Sequence, residues 1–535
     1  MRLNKLIGSI LLITSSSAFG QNLQNAIKNT DNELFTEADK EFRSLILSEP
    51  TNPNNYFYLG ENFFAQKELD SAIVYWNKAY EKDAVNPLSS VALGKVKLTK
   101  GDVAGAKTLF TEVLTKTKNK NSEVIRMIAK AYINSDFPNT TETLALLDQA
   151  VKVEPKNEFT FLLIGDAYLT SSPINANEAI KNYNTVLTIN PKSPRGLVRI
   201  GKLYTRVNSD SSANANFAKA ISIDPTYAPA YRENAELFLK YAKKAPKAIE
   251  NWKKYLELNN SQEARYRYIT ALYSGKQYNE VITEASNLMA SGFTNFYLER
   301  MLTFSYAEST TEKTNIDKGI LSSDVFFQKV PQNKIIYLDY KYRGQLFAAA
   351  NKDSLAVLEY EKAMVKDESK KSDIIPLIIK SYLKAKKYQK GIDLLEEKAK
   401  SNGLSSNEYF DLGRAYFYGP KKYNLADSAF SKVVAKSPTY AFGYYMKAQT
   451  LRLIDPTDKN SAAKQNYEKT FELVKPEERA INGNKSMILQ TSKYLGTYYE
   501  LSAEKNLEKA KEFFKVVIEL DPNDAQAKAF LAKVK

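Results

Sequence analysis

Neither cysteine nor histidine occurs anywhere in the 535 residues. The first absence excludes disulfides, thiolate metal sites, cysteine nucleophiles and a lipid-modified N-terminal cysteine. The second removes the commonest general base, proton shuttle and metal ligand. A metal would have to be held by carboxylates, and a nucleophile would need a lysine or carboxylate base. No G-x-x-x-x-G-K-[ST] or G-x-S-x-G segment is present. Glu233 and Glu236 lie three apart on a predicted helix, and Glu477 and Glu478 are adjacent in a connection. Neither pair has a partner constellation, and both read as solvated surface. No cofactor, metal or catalytic residue is expected, and the chain is expected not to be an enzyme.

Glycine and proline are sparse, at 20 and 18 residues, while Asn, Lys and Tyr are plentiful. That balance suits helices joined by short polar turns. No segment carries about 18 uninterrupted apolar residues, so no transmembrane segment is expected in the mature chain. At the N-terminus Arg2 and Lys5 supply a positive start before a short apolar run, Leu6 to Ile13. Ser15, Ser16, Ser17, Ala18 and Gly20 then supply small residues. This is the pattern of a cleavable secretory signal over residues 1–20, with the cut before Gln21. An uncleaved anchor is the rival reading of the same run. Cleavage would remove Arg2 and Lys5 and no acid, lowering the formal charge from +15 to +13. Export by such a signal disfavours nucleic acid as the partner of a basic chain.

The stretch around which the rest is organised is Pro53 to Ala84. Tyr56, Leu59, Gly60 and Phe63 mark one amphipathic helix, and Ala72, Trp76 and Ala79 mark a second. Gly60 sits mid-helix, where glycine costs roughly 1 kcal/mol relative to alanine. A close approach of the second helix, against the small Ala72, is the expected reason. Thirty-four residues on, Gly94, Ala106 and Phe110 repeat Gly60, Ala72 and Trp76.

This pattern resembles the tetratricopeptide repeat (TPR), a helix–turn–helix unit with W-x2-L-G-x2-Y, A-x3-F and a closing Pro. The resemblance covers nearly everything after residue 30. Gly165 with Ala179 and Tyr183, Gly201 with Ala213 and Phe217, Gly344 with Ala356 and Tyr360, and Gly413 with Ala426 and Phe430 continue it. It implies an all-α, right-handed superhelical solenoid of about thirteen stacked repeats. The expected organisation is a partial repeat over 21–52, an array over 53–292, a degenerate repeat over 293–336, a second array over 337–524 and a capping helix over 525–535. Ser309 to Asn315 reads as an enlarged turn, and Asp136 to Thr140 as an insertion that lengthens another. On this reading no appended catalytic domain is expected.

In such families the first helix of each repeat lines a concave groove. The resemblance places Arg126, Lys130, Arg195, Arg199, Lys202, Arg206, Arg232 and Arg267 there, with Tyr266, Tyr273, Tyr342 and Tyr418 as aromatic candidates. Arg195, Arg199, Lys202 and Arg206 step along one helix face at three- and four-residue intervals. They read either as a solvated surface or as a site for an acidic peptide or an anionic glycan or lipid headgroup. On the second reading, changing Arg199, Lys202 and Arg206 to Ala weakens the partner and leaves melting nearly unchanged. The Lys/Asn clamp by which some members hold a C-terminal carboxylate is not carried over: Phe57, Glu61 and Ala92 stand at its places. The expected function is a non-enzymatic periplasmic scaffold that binds other envelope proteins or peptides. A binder of anionic glycan or peptidoglycan is the alternative, and an enzyme of unrecognised type the third class.

Overall fold

The computed structural model describes residues 22–534, the side chains of residues 242 and 402 excepted. The expected signal, residues 1–20, lies outside the described residues. Within them the chain is 79% helical, without strands, and its 29 helices are arranged in pairs followed by one terminal helix. It divides into two compact units, Met1–Met301 and Leu302–Lys535, and the division falls inside the helix Phe296–Glu308.

Local chemistry starts several of the first helices. Asn52, Asn86 and Ser193 cap the helices Pro53–Ala65, Pro87–Thr99 and Pro194–Arg206, their side chains accepting from backbone N–H groups one turn on. Proline at the next position has its ring torsion preset for a helix and lacks the donor that would be orphaned there. In four pairs of the first array the chain reverses through one left-handed residue: Lys67, Gly101, Asn208 and Lys276 have φ of 67°, 78°, 57° and 58°. The turn is fixed by the burial of both flanking helices, which overrides the preference of lysine for other backbone conformations.

Where the small residue of a first helix is glycine, it meets an aromatic ring of the second helix. A Cβ on Gly60 would lie 2.5 Å from Cδ1 of Trp76, and one on Gly201 would lie 2.5 Å from Cε1 of Phe217. Gly94 and Gly165 are covered in the same way by Phe110 and Tyr183. This corrects the expected partner of Gly60. The ring of Trp76 fills the space, while Ala72, fully buried one turn earlier, is not what a Cβ would strike. In the first unit the first helices also lie against one another in succession, from Pro53–Ala65 through Pro87–Thr99 and Ser122–Ile133 to Glu158–Thr170. They therefore form an inner layer.

The second unit repeats the device with Gly344 under Tyr360 and Gly413 under Phe430, at 2.5 and 2.6 Å. Its core runs unbroken from Ile379 to Phe530. The terminal helix Ala525–Lys533 buries Ala527 and Phe530, with Phe530 4.7 Å from Phe514, and leaves Lys528 and Lys533 exposed. The irregular segment forms a helical pair too, Phe296–Glu308 and Lys313–Lys329. The turn expected over Ser309–Asn315 is shorter than its polar composition suggests, since Lys313 already begins a helix that buries Ile316. In that helix Gly319 sits under Leu346 and Tyr306, so the small residue has moved from the first helix to the second. No helix among the described residues is long and apolar enough to cross a membrane.

Candidate functional site: the inner layer of the first unit

The residue after the helical small residue recurs along the inner layer as Glu61, Lys95, Lys130, Asp166, Lys202 and Glu236. Stacking brings these positions side by side, and the first three pair with one another. Glu61 holds Lys95, and it also accepts from Lys130 Nζ at 2.9 Å. The Glu61 and Lys95 side chains are each only 4% exposed. Lys95 Nζ stands 4.5 Å from the ring centre of Trp76 and 5.2 Å from that of Phe64. Burial pushes the Glu61 carboxyl up, but the two ammoniums outweigh it and bring the pKa down to about 2. Burial brings Lys95 down to about 8, against the pull of Glu61.

Further along, Arg126 donates to Glu154 at 2.7 Å, and the Tyr58 hydroxyl donates to Glu123. Asp166 accepts from Tyr183 at 2.7 Å and from Nε and Nη2 of Arg199 at 2.9 and 3.1 Å. Lys202 Nζ lies 3.3 Å from Glu233, which also takes Arg232 Nη1 at 2.8 Å. Two carboxylates arrive from the far end of the unit. Asp31 pairs with Arg195, and Glu33 accepts from Arg232 Nη2 at 2.8 Å.

The helix Pro194–Arg206 thus carries its four cations on one stretch, as its spacing implies, but three of them already hold carboxylates of the chain. Arg206 is exposed and has no ion pair among the described residues. Arg126, Lys130, Arg195, Arg199, Lys202, Arg206 and Arg232 all line open cavities of this layer. The largest has a volume of about 640 Å³ and is lined by seven basic side chains against four carboxylates. A smaller cavity of about 130 Å³ lies beside Trp76, Lys95 and Asn134.

The other candidates lie apart from these cavities. Arg267 pairs with Glu263 one turn away on its own helix at 3.1 Å. Tyr266 packs on Phe293 with ring centres 5.7 Å apart, and Tyr273 lies 6.2 Å from Tyr278. In the second unit, Tyr342 stacks on Phe304 at 4.1 Å and donates to Glu308 at 2.9 Å. Tyr418 is 49% exposed beside Phe417.

Sequence reasoning missed Lys95, Asp31 and Glu33. The 34- and 35-residue steps from Glu61 to Lys95 and Lys130 were a usable signal for the first. Nothing local marks the other two, whose partners stand more than 160 residues away. Among the described residues no group of three carboxylates is placed to hold a metal ion.

The fold and this recurring register define the class of protein: an all-α helical repeat solenoid, whose repeat pattern resembles the tetratricopeptide repeat. No protein-family model matches the chain, and no curated protein matches it in sequence. Solved structures do. The C-terminal part of a TPR repeat-containing protein from Cytophaga hutchinsonii is 27% identical, over 50% of this chain and 99% of that one, with a TM-score of 0.43. A tetratricopeptide repeat protein from Parabacteroides merdae is 18% identical over 48% and 97% of the two chains, with a TM-score of 0.31. A thermophilic TPR protein of Thermus thermophilus is 17% identical over 41% and 98%, with a TM-score of 0.28.

Proposed function

We propose that this protein is a non-enzymatic scaffold that binds protein partners through the inner helix layer of its first unit, in the envelope of a bacterium. The observation that carries the reading is the cavity of about 640 Å³, open to solvent and lined by side chains from successive first helices. Such a surface follows the stack from repeat to repeat, so it suits an extended segment of another chain. Most of its charged groups are fixed by ion pairs, which orients them before a partner arrives. The envelope address rests on the N-terminal run Leu6 to Ile13 and the small residues after it. Binding of an anionic glycan by the same basic lining is the alternative.

Crosslinking in cells followed by mass spectrometry tests the reading. A protein crosslinked to helices within residues 122–239 in stoichiometric yield supports the scaffold, and crosslinks confined to other surfaces refute it. Glycan-array binding without a protein partner selects the alternative. Sequencing the N-terminus of the purified protein tests the address: a start near Gln21 in the soluble envelope fraction is expected, and Met1 retained on cytosolic protein rejects it.

A further inference from the structure

The basic site of the inner layer already has an occupant, and the occupant belongs to the same chain. The turn between the helices 22–31 and Phe35–Ser48 carries Asp31, Asn32 and Glu33. Glu33 has φ of 59°, in the left-handed region that L side chains avoid, and its carboxylate reaches the inner layer. Arg232, 199 residues later, grips it with Nε at 3.1 Å and Nη2 at 2.8 Å. Tyr255, 222 residues later, donates its hydroxyl at 2.8 Å and is itself held by Asn259 Nδ2 at 2.7 Å. Asp31 pairs with Arg195.

A solenoid needs contacts only between neighbouring repeats, so stacking does not require this one. A forked guanidinium fixes a carboxylate with geometric specificity as well as energy, and the Tyr255 hydroxyl adds a further donor to the same group. Lys67 and Arg206 stand exposed in the same cavity with no ion pair among the described residues. The site therefore holds more positive charge than the turn neutralises.

We propose that the Asp31–Asn32–Glu33 turn is an internal ligand, and that Arg195, Arg232 and Tyr255 bind an acidic-x-acidic segment of a protein partner in its place. The inference rests on the scaffold reading and gives the partner's chemistry. A tethered ligand competes at high effective concentration, so the free protein is mostly closed and its apparent affinity is reduced by the fraction that is open. A partner that supplies the same two carboxylates, with further acids for Lys67 and Arg206, displaces the turn.

The probe is a fluorescent peptide copying residues 27–37, titrated into the full chain by anisotropy. The double variant Asp31→Asn/Glu33→Gln keeps the shape of the turn and removes its charge. It should bind the peptide at least about tenfold more tightly than wild type, because the competing ligand is weakened. A neutral peptide with the same two changes should bind neither protein, and adding Arg232→Gln to the double variant should abolish the gain. In wild type, saturating peptide should accelerate amide hydrogen exchange over residues 29–38, a readout that needs no variant. Equal affinity of wild type and double variant, equal binding of the neutral peptide, no binding at all, or peptide bound with unchanged exchange at the turn each overturns the proposal. In-cell crosslinking separates its failure from that of the scaffold: a partner captured equally by wild type and double variant sinks this inference alone, and no partner on either sinks both.

Discussion

Arg199 donates from Nε and Nη2 to the two oxygens of Asp166, a residue of the preceding repeat, at 2.9 and 3.1 Å. Tyr183 donates to the same carboxylate at 2.7 Å, and its ring covers Gly165, the neighbour of Asp166. A cation that looks like part of a free binding face is thus a joint between repeats.

Arg199→Ala should accordingly destabilise the protein by about 1–3 kcal/mol, the cost of leaving a partly buried carboxylate without its charged donor. Arg206→Ala should leave melting within about 0.5 kcal/mol of wild type, since no ion pair is lost. The triple change of Arg199, Lys202 and Arg206 then carries the stability loss of Arg199, contrary to the expectation from spacing. Thermal melts of the two single variants decide it: identical midpoints mean that the Asp166 pair contributes nothing.

Glu61→Gln removes the counter-charge of two lysines, one of them almost wholly buried. An uncompensated buried charge costs about 3–5 kcal/mol, whereas an apolar pair of similar volume is tolerated. Urea unfolding should therefore show Glu61→Gln strongly destabilised and the double change Glu61→Leu/Lys95→Met much closer to wild type. A double variant as unstable as the single one would falsify the pairing as the source of the cost.

The same carboxyl sets an acid limit. Its folded pKa of about 2 lies below the ordinary 4.5, so the folded state binds the proton less readily than the unfolded chain. The stabilisation is complete above about pH 4.5 and is lost as pH falls from there towards about 2. Melting midpoints followed across that interval should fall more steeply for wild type than for Glu61→Leu/Lys95→Met. Parallel curves would show that Glu61 does not carry the effect.

Gly165→Ala places a methyl group into the ring of Tyr183 and should destabilise by about 1–3 kcal/mol through overpacking. Gly483 provides the contrast. It lies in the first turn of the helix Asn482–Leu501 with nothing within 4 Å of its missing Cβ. Gly483→Ala should be neutral or stabilise by up to about 1 kcal/mol, because only the unfolded chain loses freedom. Calorimetry on the two variants should move the midpoint in opposite directions or leave only Gly165→Ala shifted.

The helical pairs, their 34-residue step and the recurring order of Gly60, Ala72 and Trp76 along the chain were legible in the residues themselves. Each is a local pattern, written within one repeat and then copied, and stacking neighbours is what such a pattern needs to bury its apolar faces. The identity of the residue that fills the space above Gly60 was less legible, since both Ala72 and Trp76 face the first helix and only packing shows which one reaches it. Charge was the least legible property. Composition gives an excess of lysine and arginine, and periodicity puts Arg195, Arg199, Lys202 and Arg206 on one face, but neither says which carboxylate each one meets. Asp166 comes from the repeat before, Glu233 from the repeat after, and Asp31 and Glu33 from the start of the unit. The curvature that brings Glu33 to Arg232 accumulates from small rotations between successive repeats, and that sum exists only in the tertiary structure.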